Sequence, residues 1–476
     1  MNDFSILQSG LPFRIPSRSL GVKLIVVCGL ALIMSIPTFF VWALVEDRTK
    51  LASNVVQEIS SYVGGQQTFL GPTLAIPYTV PPQSPSDTVK HGTYLVFPAQ
   101  ASAALKVVTE ERRRSLFKVP VFQADLKLNA TFDLTGVPTA APQGAQLDWS
   151  RAEMLVGVTD ARGASADASL TAGGKTITLV PADSTQEISI AADQNPRIKL
   201  TLFGQRVDGI AKPDAEFDVT SSLHFSGAQR IAVLAYGKTT HLSMQGDWPS
   251  PGFDGGFLPV SRNISSNGFS ADWSVPFIAR GVRAEGPSDL ITGLDSTALG
   301  VSFIEVADPY QSVNRSLKYL PLFLGLVFLS YFIFEVTTGK RVHPAQYVLV
   351  GVAQIIFYLL LLSLAERVGF DLGFLIAGAA TVVLLSANAG WIFARRAQGA
   401  RALAVFSLLY ALIYMLLRLE DNALLIGAIA SFAAVSAVMY FTRKVDWYGT
   451  LPGPSSTSPQ PAVSPAPNGI DWSLRE

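Results

Sequence analysis

The sequence predicts a membrane protein of mixed class: one N-terminal anchor helix, a large β-sandwich-like exported domain, and a C-terminal five-helix transmembrane bundle. Three observations lead there. Of 476 residues, 49% are apolar and only 15% are charged, against roughly a quarter charged in an ordinary soluble domain. Six stretches, 24–45, 319–338, 345–365, 372–394, 402–417 and 422–442, carry no or almost no charge over lengths near the roughly 20 helical residues that cross a hydrocarbon core. Between the first and second stretch the apolar residues recur at every second position, the period of a half-buried strand.

The first span is read as an uncleaved anchor. Its apolar run exceeds the 7–15 residues of a signal-peptide core, and Glu46, Asp47 and Arg48 follow it in place of a small-residue cleavage site. Orientation follows from the short flanks, because Lys and Arg concentrate on the cytoplasmic side. With the N-terminus inside, the inner flanks hold Arg14, Arg18, Lys23, Lys340, Arg341, Arg395, Arg396, Arg401, Arg443 and Lys444, whereas the outer short loops hold only Arg367 and Arg418. The expected organisation is a cytoplasmic N-terminus (1–21), a transmembrane anchor (22–45), an exported β-rich domain (46–318), the bundle (319–442) and a cytoplasmic tail (443–476). The tail is rich in Pro, Ser and Ala, a composition that supplies no core.

Within the exported segment, 122–134 places Phe, Ala, Leu, Leu, Ala, Phe and Leu at even positions and mostly polar residues at odd ones. Shorter runs follow at 175–180, 197–203, 216–225 and 240–245, separated by Gly, Pro and Asp turns. Residues 47–62 differ: Leu51, Val55, Ile59 and Tyr62 stand near helical spacing, so a helix is expected to continue outward from the anchor.

Several function classes are disfavoured. The 36 basic and 36 acidic residues cancel, which removes the electrostatic signature of a nucleic-acid partner. The single cysteine, Cys28, lies within the first apolar run, so neither a disulfide framework nor a thiolate metal site is expected. Gly173-Gly174-Lys175-Thr176 resembles the end of a phosphate loop but lacks the first glycine and the strand-loop-helix context; a β-turn is expected. Ser115-Leu116-Phe117-Lys118 has a Ser-x-x-Lys spacing, yet no Ser-Asp-Asn or Lys-Thr-Gly partner accompanies it. His91, His224, His241 and His343 show no paired metal spacing. No catalytic residue, cofactor or metal is expected, and the protein is read as non-enzymatic.

Polar groups in the bundle carry more weight, since a charge in lipid is costly. Glu335, Glu366, Arg367, Arg418, Glu420 and Asp421 fall at or near span ends, where side chains can reach the interface. Gln354 and Asn388 lie deeper, and hydrogen bonding between helices accounts for them.

Short segments in order add a resemblance. They include Val22-Lys23-Leu24, Glu46-Asp47-Arg48, Gly65-Gln66-Gln67, Gly71-Pro72, Ile76-Pro77-Tyr78, Trp248-Pro249-Ser250-Pro251 and Gly268-Phe269-Ser270-Ala271-Asp272-Trp273. The C-terminal half contributes Lys318-Tyr319, Phe334-Glu335, His343-Pro344-Ala345-Gln346-Tyr347, the run 357–366, Glu420-Asp421-Asn422 and Asp446-Trp447-Tyr448. With these, nearly everything from Leu20 to Tyr448 resembles the CreD family of inner-membrane proteins, also called cell envelope integrity proteins.

The resemblance implies a Gram-negative inner-membrane protein with a periplasmic domain, linked to envelope integrity, to the Cre two-component system and to responses to β-lactams. It implies no catalytic residue. Glu335, His343, Gln346, Tyr347, Glu366, Glu420 and Asp421 are therefore the candidate functional residues. Expected partners are the lipid bilayer and periplasmic or inner-membrane envelope proteins; a transporter or lipid-handling protein is the second reading, and an envelope hydrolase the third.

Overall fold

The computed structural model describes residues 20–82, 88–114, 117–137, 141, 144–182, 188–192, 195–207, 209–303, 309–418 and 423–443. Two compact units result, one of Met1–Val45 with Pro309–Glu476 and the other of Glu46–Asp308.

The N-terminal apolar segment forms α1 (Leu20–Met34) and α2 (Thr38–Val63). Pro37 explains the break between them. It has no N–H to donate, and the chain tightens to three-residue turns, Ile36 N–H to Ile33 O at 3.1 Å and Thr38 N–H to Ser35 O at 3.3 Å. As expected, the helix continues past the apolar span, but the buried stripe differs. Val56, Ile59 and Val63 pack against Val119, Val121 and Ala228, while Leu51 and Tyr62 are exposed.

In the second unit the strands are β1 (Gln67–Val80), β2 (Lys90–Val96), β3 (Gln100–Arg114), β4 (Phe117–Asp133), β5 (Gln146–Leu147), β6 (Glu153–Val158), β7 (Ser169–Ala172), β8 (Lys175–Thr178), β9 (Val180–Pro181) and β10 (Ile188–Ala192). They continue as β11 (Asn195–Arg206), β12 (Glu216–Ala228), β13 (Arg230–Leu234), β14 (Thr239–Gly246), β15 (Pro251–Gly255), β16 (Ser261–Ser265), β17 (Gly268–Val275), β18 (Glu285–Pro287) and β19 (Ala298–Phe303), with a short helix α3 (Phe277–Arg280) after β17. One sheet has the order β10-β11-β6-β1-β13-β19-β15, with β2, β5, β9 and β18 beside this path, and the other runs β16-β17-β14-β3-β4-β12-β7-β8. Parallel pairs occur at β1 with β13 and β3 with β14.

Side chains of both sheets share one hydrophobic core, which makes the unit a sandwich. Phe69 meets Phe225 edge-on at 5.3 Å, and the Tyr236 hydroxyl donates to Ser102 O and Asn129 O at 2.9 and 2.8 Å. The expected strand at 122–134 is the inner part of β4, whose residues alternate buried and exposed. Strand β1 escaped the alternation test because it is buried continuously from Gln67 to Ile76. Its Gly71-Pro72 sits where the register to β6 shifts, the kind of irregularity that tolerates a proline. Any Cβ at Gly71 would lie 2.5 Å from the Tyr236 ring.

The bundle contains α4 (Pro309–Lys318), α5 (Leu320–Thr338), α6 (Pro344–Val368), α7 (Phe370–Phe393), α8 (Arg396–Arg418) and α9 (Ala423–Thr442). Among the described residues, the N-terminal helical segment and α5 to α8 are long and apolar enough to cross a membrane; α9 adds 20 residues without a charge. Helix α4 falls within the 46–318 segment of the sequence reading, but it packs with the bundle, burying Val313 and Leu317. Aromatic rings fill the bundle interior: Tyr410 meets Phe323 and Phe357 edge-on at 4.9 and 5.0 Å, and Tyr331 stacks on Phe406 at 5.6 Å.

Candidate functional site

Glu335 lies in the last turn of α5, three residues before Thr338 ends it. The reading that Glu335 reaches the interface needs correction: it is 2% exposed and pairs with Lys23 of α1. An isolated carboxylate at that depth would be prohibitively costly, and the neighbouring chain supplies three donors. Glu335 Oε1 accepts from Lys23 Nζ and from Val342 N–H at 2.9 Å, and Oε2 accepts from the Tyr347 hydroxyl at 3.1 Å. Lys23 Nζ also donates to Val342 O at 2.9 Å. The ion pair thus ties α1, α5, the 339–343 loop and the start of α6 together. Gly339, at φ +67°, turns the chain out of α5 and donates to Glu335 O at 3.0 Å.

The other candidates separate. His343 caps α6, its exposed ring accepting from Ala345 N–H at 3.2 Å through Nδ1. Gln346 is half-buried on the next turn, whereas Tyr347 is buried against Phe328 and Tyr331. Glu366 stands at the far end of α6 and accepts from the Tyr310 hydroxyl at 3.1 Å. Glu420 and Asp421 lie outside the described residues. Glu335, at the end of α5, and Glu366, at the far end of α6, therefore stand apart; among the described candidates Glu335 bonds Tyr347 through side chains, and Gln346 N–H donates to His343 O at 2.9 Å.

Two polar partners were missed in the sequence. Lys23 counted only as a flanking charge, although the start of the first span and the end of the second fall on the same membrane face, a signal that could have paired it with Glu335. Asp371, at the start of α7, pairs with Arg418 and accepts from the Tyr414 hydroxyl at 3.0 Å. The deep residues behave as expected: Tyr410 donates to Gln354 Oε1, and Asn388 Nδ2 donates to the Tyr331 hydroxyl, both at 3.3 Å.

In the β-rich unit, Gly173 and Gly174 have φ of +54° and +78° and join β7 to β8, so the phosphate-loop look-alike is a hairpin turn. Lys118 of the Ser-x-x-Lys spacing pairs with Glu111 on β3 at 3.4 Å; Ser115 lies outside the described residues. No group of three His, Cys, Asp or Glu residues that could hold a metal occurs among the described residues. Among the described residues, Arg280 is a strongly perturbed cation, pushed down to about 10 by burial, with its guanidinium 4.2 Å from the Phe97 ring and Nε donating to Ala235 O at 2.9 Å. Asp160 is held below its ordinary value by hydrogen bonds from Arg162, and burial raises Glu285. These groups lie on different elements and form no shared constellation.

A family model described as "Inner membrane protein CreD" matches residues 19–448. The chain is also similar to the Inner membrane protein CreD of Escherichia coli (strain K12), with 28% identity over 428 residues that cover 88% of this chain and 92% of that protein. The family description names a membrane location and no reaction, in keeping with a bundle of apolar helices joined to a β domain. By the extent of these matches, the chain belongs to the CreD family of inner membrane proteins.

Proposed function

We propose that this protein is a non-enzymatic, multi-pass inner-membrane protein that supports envelope integrity and the response to β-lactam stress, with its β domain in the periplasm contacting envelope proteins. The observation that carries the reading is the filled interior of the Glu46–Asp308 unit, where one continuous hydrophobic core joins both sheets. A domain filled in this way meets partners on its surface. Edge strand β16 is exposed along its length, Leu258 and Val260 just before it are 68% and 77% exposed, and Ile278 on α3 is 93% exposed. Large apolar groups left in water beside an edge strand suit a protein contact.

The transporter reading has less support. Of its acidic groups, the two described ones stand apart, Glu335 at the end of α5 and Glu366 at the far end of α6, and Glu335 has both oxygens engaged. Photo-crosslinking from Val260 and Ile278 in living cells, followed by purification in native lipids, tests the proposal. The expected result is a discrete protein adduct, and Ile278→Asp should abolish both the adduct and rescue of a deletion strain under β-lactam at unchanged abundance. Ion flux or hydrolysis by the reconstituted protein, with no adduct, would overturn it.

A further inference from the structure

At the end of the bundle where α7 passes into α8, the two helices enclose an open groove of about 580 Å³. Its floor is made of small residues. Gly390 and Gly399 come so close that a Cβ on Gly399 would stand 3.4 Å from Gly390 Cα, and Ala387 and Ala400 extend the same surface. Its walls are apolar: Val383 and Leu403 line it and are 61% and 44% exposed. Its mouth is cationic. Ala394 takes the left-handed conformation at φ +51°, with its N–H bonded to Trp391 O at 3.2 Å. Arg395 and Arg396 follow, and both line the groove.

Neither arginine forms an ion pair among the described residues, and no Asp or Glu occurs in 372–419. Ser386, which also lines the groove, already donates to Val382 O at 2.6 Å. Trp391, 75% exposed at the rim, marks the level of the headgroups. An unbalanced pair of guanidiniums at headgroup level attracts phosphate, while the apolar trough below has no use for a water-soluble anion. A packed transmembrane helix would fill the trough but leave the arginines without a counter-charge.

We propose that this groove is a binding site for an anionic phospholipid, its phosphate held by Arg395 and Arg396 and an acyl chain lying between α7 and α8 over Gly390 and Gly399. The two arginines then do more than set orientation, which requires no lipid preference. A volume of this size lies within the range of about 300–1,000 Å³ typical of ligand sites.

The test is native mass spectrometry of the delipidated full-length protein in detergent, titrated with phosphatidylglycerol, phosphatidylethanolamine or inorganic phosphate. Two arginines should favour phosphatidylglycerol over phosphatidylethanolamine by about thirtyfold. The double substitution Arg395→Gln with Arg396→Gln should cut that preference to about threefold or less, while Arg395→Lys with Arg396→Lys should keep most of it. Ala387→Leu, which fills the floor, should weaken phosphatidylglycerol binding about tenfold. If the double Gln variant does not fold, the unmodified protein decides: its preference should collapse in salt of about 1 M. Retained preference in the double Gln variant or at high salt would overturn the proposal. So would displacement of the lipid by an equal concentration of inorganic phosphate, or a dimer that Ala387→Leu dissociates while lipid binding stays unchanged.

Discussion

Lys23 and Glu335 are 312 positions apart in the chain, yet their side chains form one ion pair in the bundle. Such a pair adds little net stability when complete, but removing one member leaves a buried charge uncompensated, at a cost of about 3–5 kcal/mol. Lys23→Met alone and Glu335→Gln alone should therefore lower both the melting temperature in detergent and the amount of protein in the membrane. The double change Lys23→Met with Glu335→Leu should recover most of each. Quantitative immunoblotting of membranes with a thermal melt reads the outcome. Single variants that keep full abundance but fail to rescue a deletion strain would instead indicate that Glu335 acts on a transported ion. The acidic residue itself was visible in the sequence. Its burial was not, because position along a span says nothing about which neighbour fills the space beside it.

At the scale of elements, α2 belongs to the β-rich unit as much as to the N-terminal apolar segment. Its last turns cover Val119, Val121 and Ala228, Ser226 Oγ donates to Val63 O at 3.0 Å, and Gln67 Nε2 donates to Gly64 O at 2.8 Å. A soluble fragment of 46–303 should therefore melt higher than one of 68–303, since burying each valine is worth about 1.5–3 kcal/mol. Circular dichroism of both should be mainly β, with melting indifferent to reductant because Cys28 lies outside either fragment. Equal melting temperatures would show that the helix adds nothing to the sandwich. The period of two revealed β4 and β12, which have one buried face. It could not reveal β1, whose Gln67–Ile76 stretch is buried without alternation and is interrupted by Pro72. The same blindness to context made Gly173-Gly174 resemble a phosphate loop until its pairing partners were seen.

For the molecule as a whole, the testable quantity is orientation. Lys23 at the start of α1 and Glu335 at the end of α5 meet, which is what spans running in opposite directions across one bilayer require. Reporter fusions after Gln57, Leu147 and Asn267 should behave as exported, and fusions after Gly339 and Gly399 as cytoplasmic. A cytoplasmic signal at Leu147 would reverse the assignment. The sequence by itself determined that an N-terminal apolar segment and a C-terminal set of apolar helices flank a β-rich segment, the charge bias of their flanks, and the family. These are local or additive properties, set by hydropathy, period and composition. Only the tertiary structure decided that Glu335 is buried against Lys23, that α4 packs with the bundle, and that Arg395 and Arg396 stand over a groove floored by Gly390 and Gly399. Such facts depend on which distant segments come within a few ångströms of one another, and no window along the chain contains that information.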